Sequence, residues 1–245
     1  MTFWEHLDEL RGCLLRIVVA VLAVAIVAFC LREPLFALIL APKSADFVTY
    51  RLLSHIVGTL PAFQVDLVNI ELAQQFIIHV KMSLWAAVLA VSPYILYLLF
   101  RFVSPALYRG ERRLTVRAVG AGYLLFLLGV LLAYFVIFPL TFRFLGTYQV
   151  AADVPNVISL GSYISVFLML LLVMGLVFEL PVLCWLLGRM GLLKASAMRR
   201  YRRHAVVAIL ILAAVITPTG DAFTLAVVAL PIWLLYELSI KVVKE

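Results

Sequence analysis

Apolar residues come in long blocks along this chain, and polar residues gather in short clusters between them. Six blocks stand out, at about 14–31, 76–100, 116–142, 163–187, 205–217 and 223–240. Repeated runs of this kind cross a hydrocarbon core about 30 Å thick as helices, because a helix satisfies every backbone N–H and C=O within the segment. The pattern predicts an all-α, polytopic membrane protein with six transmembrane helices, built as a single integral membrane domain over 1–245. Internal repeats and low-complexity tracts are not evident. The longest interval, 32–75, mixes apolar runs such as "LFALIL" with Pro34, Pro42 and Pro61, and so predicts a partly helical outer-side cap rather than a flexible linker.

The last two helices are expected to be short. The block at 205–217 would measure about 20 Å and that at 223–240 about 27 Å, against a core of about 30 Å. "TPTGD", with Pro218 and Gly220, forms a tight turn between them. Either the bilayer thins beside this pair, or the fifth helix starts nearer Tyr201 with Arg202 and Arg203 snorkelling. Both readings stay open.

Composition agrees with the pattern: 66% hydrophobic and 13% charged residues exclude a soluble domain with a polar exterior. An even number of helices puts both termini on one side. Arg11, Arg16, Arg101, Arg109, Arg112, Arg113, Arg117, Arg189, Lys194, Arg199, Arg200, Arg202, Arg203, Lys241 and Lys244 then share that side, and only Arg32, Lys43, Arg51, Lys81 and Arg143 fall on the other. Fifteen against five makes the N- and C-termini cytoplasmic. The net charge of +7 lies in clusters between spans and not along one face, which argues for topology and against nucleic acid. With Glu5, Asp8 and Glu9 ahead of it, the first block reads as a span, not a cleavable signal peptide. Cys13, Cys30 and Cys184 have no metal spacing and read as small core residues. No Walker loop, HExxH pair or nucleophile elbow occurs, and His6, His55, His79 and His204 are scattered. No enzymatic activity, metal or cofactor is expected, so any work would draw on the membrane potential or a partner.

Three acids change the picture. "TFWE" at 2–5 fits a capping box, which gives Glu5 a structural role. In "HLDELR" Asp8 can pair with Arg11, whereas Glu9 faces Gly12 and Cys13 at helical spacing and is left without a firm local partner. Its bland reading is a solvated carboxylate near a helix start. Glu111, in "SPALYRGERR", is the only acid between Glu71 and Asp153 and sits among Arg109, Arg112 and Arg113. A local ion pair or a helix cap is the plain alternative. Glu179, in "FELP", lies inside the fourth span, where an ionisable group costs at least ~2.5 to 3.5 kcal/mol and faces a cavity or a partner. Pro181 removes the hydrogen bond to the Val177 carbonyl and favours a kink beside the acid. A buried Glu bonded to a neighbouring hydroxyl would be the structural explanation.

These elements resemble one known family. "HLDELR", Pro42 in "LAP", "KMSL...SPYILY...FVSPALYRGERR", "YFVIFPL", "FELP" and "TPTGD", in this order on six spans, are similar to TatC, the multispanning core subunit of the twin-arginine protein translocase. The resemblance implies a signal-peptide receptor and core scaffold that exports folded proteins across the cytoplasmic (inner) membrane of a bacterium, using the proton-motive force. It implies a fold with a concave face under the cap. It makes Glu9 and Glu111 the site for the Arg-Arg pair of an export signal peptide, with Leu10, Arg11, Phe102 and Arg113 as neighbours. Glu179 then lines the concave face, and Thr217 ends the fifth span where single-span TatA/TatB-type subunits dock. Pro42 and Asp221 match outer-loop positions important for assembly, and self-association in a larger complex is expected.

The chemistry fits: a guanidinium offers a planar fork to a carboxylate that Lys reproduces poorly. The basic cytoplasmic face would repel an Arg-rich peptide in bulk, so recognition must be local. Leu98, where Gln is frequent, and Arg101, where a small residue is usual, depart from the family pattern beside Phe102. A rival reading is an ion-coupled small-solute transporter with Glu179 carrying the proton. It predicts inverted repeats and paired broken helices, whereas one kinked, acid-bearing helix is expected here. A plain membrane anchor would leave Glu9 and Glu111 without a purpose.

Overall fold

The computed structural model describes residues 3–58, 65–103, 112–149, 151, 156–217 and 220–243. Helices dominate the described residues, and five segments are long and apolar enough to cross a membrane: Leu7–Cys30, Gln74–Phe102, Ala118–Thr147, Leu160–Arg189 and Ala222–Val242. α1 (Phe3–Cys30) carries "HLDELR" and the first apolar block on one continuous helix. The cap segment holds α2 (Arg32–Leu40), a 3₁₀ turn at Ala41–Lys43, α3 (Val48–Val57) and β1 (Leu67–Val68), so it is partly helical, as its mixed pattern predicts. α4 (Gln74–Val103) follows, with Pro93 inside it. α5 (Arg112–Leu132), a π turn at Ala133–Ile137 and α6 (Phe138–Thr147) make the third long segment. β2 (Ile158–Ser159) pairs in parallel with β1. α7 (Leu160–Val177) and α8 (Leu180–Arg189) form the fourth segment, interrupted at Phe178 and Glu179 where Pro181 cannot donate to the Val177 carbonyl.

The last helices differ in part from expectation. α9 (Ala195–Arg200) is a short helix, α10 (Arg202–Ile216) is 15 residues long, and α11 (Ala222–Val242) is 21 residues long. α10 measures about 22 Å and α11 about 31 Å. Only α10 is therefore short, and it does start just after Tyr201, with Arg202 and Arg203 inside it. α11 is longer than its apolar block because Ala222 joins its start and Lys241 and Val242 its end. Gly220, at φ +59, donates to the Thr217 carbonyl at 3.4 Å, so the chain does turn tightly between the two helices.

The chain divides into two compact units, Met1–Phe36 with Phe76–Leu124, and Ala37–Gln75 with Leu125–Glu245. Within the first, the Phe29 ring stacks on His79 at 3.9 Å, and Phe36 meets the same imidazole edge-on at 5.6 Å. Within the second, hydroxyl groups tie the cap segment to the third and fourth long helices. The last carbonyls of α2 have no helical partner. Tyr134 donates to the Leu38 carbonyl at 2.7 Å, and Tyr163 to that of Ile39 at 2.9 Å. Pro139 has no N–H to offer the Phe135 carbonyl, and the Thr49 hydroxyl donates there instead. The Tyr50 hydroxyl lies 3.1 Å from the Pro42 carbonyl oxygen and 3.0 Å from that of Pro139, and serves one at a time. Burial holds this phenol protonated beyond its ordinary range, an effect the nearby Arg143 guanidinium only partly offsets.

Around these bonds Phe47, Tyr134, Phe138, Phe142, Tyr163 and Phe167 pack with edge-to-face and stacked contacts. Two glycines let α5 and α7 approach closely. A Cβ on Gly129 would lie 2.5 Å from the Met174 carbonyl oxygen and 2.8 Å from Phe178, and one on Gly175 would lie 2.8 Å from Phe126. Each helix thus seats an aromatic ring over the other's glycine, which is the small-residue packing expected where lipid supplies no hydrophobic drive.

Candidate functional site

Glu9 lies on the covered face of α1, the face that also carries Cys13, Ile17, Val21, Val24 and Ala25 at helical spacing. It is half-buried, and its Oε2 is shielded from solvent and makes no hydrogen bond among the described residues. Asp8 and Arg11 are exposed and do not pair with each other, contrary to the three-residue spacing. Two solvated side chains on the open face of a helix gain too little from such a pair to hold it. Leu10 is half-buried beside Glu9. At the end of α4, Phe102 is half-buried, Arg101 exposed and Leu98 buried, so one of the two departures from the family pattern is covered and the other open to solvent. Glu111 lies outside the described residues, as do the side chains of Arg113, Glu5 and Thr2, so the expected carboxylate pair and capping box fall there too.

A carboxylate oxygen withdrawn from water and left unbonded forgoes the stabilisation that water or a donor would provide. A cation bearing several N–H groups would restore it. A second such oxygen exists within the other unit. Glu179, 8% exposed in the break between α7 and α8, has its Oε1 buried and unbonded. Its neighbour Phe178 borders an apolar groove of about 630 Å³, lined also by Leu132, Val136, Leu230, Pro231 and Leu234. Thr217 is buried, and its hydroxyl donates to the Ala213 carbonyl at 2.9 Å, which leaves it only acceptor capacity. Asp221 caps α11 by accepting from the Thr224 N–H at 2.6 Å. Pro42 is buried in the 3₁₀ turn under Tyr50. Among the described residues no cluster of His, Cys, Asp and Glu could hold a metal.

The sequence profile of the Sec-independent protein translocase protein (TatC) matches residues 5–231. The chain belongs to the TatC family. It is 33% identical to the TatC of Blattabacterium sp. subsp. Periplaneta americana over 98% of this chain and 94% of that protein. It is 31% identical to that of Carboxydothermus hydrogenoformans over 100% and 93%. A crystal structure described as the twin-arginine translocase receptor TatC superposes with a TM-score of 0.79 at 31% identity, covering 97% of each chain. A second, of TatC in DDM, gives 0.81 at 30% identity, over 98% of this chain and 100% of that one. TatC is a translocase component and not an enzyme, and a multi-pass protein of the bacterial inner membrane. That membership disfavours the small-solute transporter.

Sequence reading finds the acids of this TatC but misses the hydroxyls that seat its cap. Thr49, Tyr50, Tyr134 and Tyr163 act across 86 to 124 residues of chain, so no local spacing reveals them. The one signal is "YFVIFPL", whose Tyr134 and Pro139 are respectively a donor to the cap and the cause of a free carbonyl.

Proposed function

We propose that this TatC is the signal-peptide receptor and core scaffold of a twin-arginine translocase, exporting folded proteins at the expense of the proton-motive force. In this reading its six helices place both termini in the cytoplasm, α10 being the short fifth span. Glu9 and Glu111 receive the two guanidinium groups, with Leu10, Arg11, Phe102 and Arg113 around them. The observation that carries it is the buried, unbonded Oε2 of Glu9, on a basic chain that has arginines to spare. An acceptor kept from water and unbonded among the described residues suits an incoming forked donor better than a structural ion pair. Glu179, likewise unbonded, meets a polar group of a single-span TatA/TatB-type subunit, with Thr217 accepting beside the docking face. Pro42 and Asp221 act through the cap and the start of α11, which supports their role in assembly.

The test is cross-linking of a photoreactive twin-arginine signal peptide to the native protein, Glu9→Ala and Glu111→Ala in membranes. Loss of the adduct in both variants, at unchanged protein levels, is expected. Adducts of native yield in both would remove the recognition site.

A further inference from the structure

Between Glu179 and Asp221 the chain has no acid, yet it carries Arg189, Lys194, Arg199, Arg200, Arg202 and Arg203. Four of these arginines fall within 199–203, at the corner where α9 meets α10. The corner is fixed against the end of α11. Ala195 and Met198 are buried against Ile240 and Val243 near the end of α11, and Tyr236 donates to the Met198 carbonyl at 2.8 Å. Arg202 then meets Glu237 of α11 at 2.7 Å. Glu237 stands five residues before Val242, the end of α11, which is about 7 Å along the helix axis. Since α11 is about as long as a hydrocarbon core is thick, ~30 Å, Arg202 falls inside the end of that helix while Ala195 and Met198 lie level with it.

Glu237 neutralises Arg202 alone. Arg199 is engaged within the chain, whereas Arg200 and Arg203 are exposed and meet no carboxylate among the described residues. Exposed Tyr201 (55%) stands between them in the chain, Leu192 (70%) is exposed ahead of α9, and Arg189 lies over the Trp185 ring at 5.5 Å. Apolar, aromatic and cationic side chains together at this depth suit the acyl–headgroup boundary. A peptide or nucleic-acid phosphate in the aqueous phase would lie above them. Unpaired guanidinium groups below the headgroup plane must either reach outward or draw an anion inward, and the phosphate of a phospholipid is the anion available there.

We propose that Arg200 and Arg203 form a binding site for the phosphate of an anionic phospholipid, held at the α9–α10 corner and drawn below the general headgroup plane. The lipid fills the depth that the 15-residue α10 leaves uncovered. Each arginine contributes roughly fivefold to selection of an anionic over a zwitterionic lipid.

The experiment reconstitutes the full chain in nanodiscs and measures immobilisation of spin-labelled phosphatidylglycerol and phosphatidylcholine by electron spin resonance. The native protein is expected to hold phosphatidylglycerol preferentially, the double variant Arg200→Gln/Arg203→Gln to lose most of that preference, and Arg32→Gln to keep it. Excess inorganic phosphate should leave the bound lipid in place. Equal retention of the two lipids by the native chain, an unchanged preference in the double variant, or displacement by free phosphate would each overturn the site. The native-chain arms do not depend on how the variant folds.

Discussion

The carboxyl group of Glu9 separates the functional account from a structural one. A glutamate that stabilises the fold through an ion pair loses stability when neutralised, whereas a buried and unbonded one is relieved of a desolvation cost. Glu9→Gln is therefore expected to melt no lower than the native protein, while its affinity for an Arg-Arg peptide falls roughly ten- to a hundredfold, as loss of hydrogen bonds to a charged group implies. Thermal unfolding in detergent and peptide titration check the two halves. At this scale the sequence is informative where the reasoning is local. Glu9 faces Gly12 and Cys13 and has no partner at helical spacing, and its Oε2 has none among the described residues. It fails for Asp8 and Arg11, whose favourable spacing does not outweigh full solvation. The partnership with Glu111 cannot be derived from spacing, because 102 residues separate the two; it comes from the family pattern alone.

Elements show where pattern reading stops. Apolar blocks locate four long helices and the final one, because lipid demands continuous apolar segments with satisfied backbones. They do not reveal the π turn at Ala133–Ile137, since one extra residue in a uniformly apolar run leaves no trace in hydropathy. Nor do they bound α10, whose first residues are arginines. The cap depends on that π turn and on the hydroxyls that reach it. Tyr134→Phe and Tyr163→Phe should each lower stability by about 1 kcal/mol, by leaving an α2 carbonyl without its donor. Tyr148→Phe, at an exposed position, should stay within about 0.5 kcal/mol. Thermal shift measurements distinguish them. The paired glycines make a sharper demand: Gly129→Leu and Gly175→Leu meet a backbone carbonyl or an aromatic ring within 3 Å. Each should cost more than the ~1–3 kcal/mol usual for overpacking and reduce the folded yield recovered by size-exclusion chromatography.

For the whole molecule, the account divides work between two acids in different places along the chain. As proposed, Glu9 receives cargo, and Glu179 joins single-span subunits. Glu179→Ala should accordingly weaken co-purification of those subunits while leaving signal-peptide cross-linking intact, and the reverse pattern is expected of Glu9→Ala. If Glu179→Ala abolished peptide cross-linking and left the subunits bound, that division would be wrong. The central claim is that this protein reads guanidinium groups and not mere positive charge. The most direct measurement is equilibrium binding of a signal peptide carrying Arg-Arg, and of the same peptide carrying Lys-Lys, to the purified protein at one ionic strength. A preference of at least about tenfold for Arg-Arg, abolished in Glu9→Gln, is the expected result. Equal affinity for the two peptides, or a preference that survives Glu9→Gln, would contradict the account.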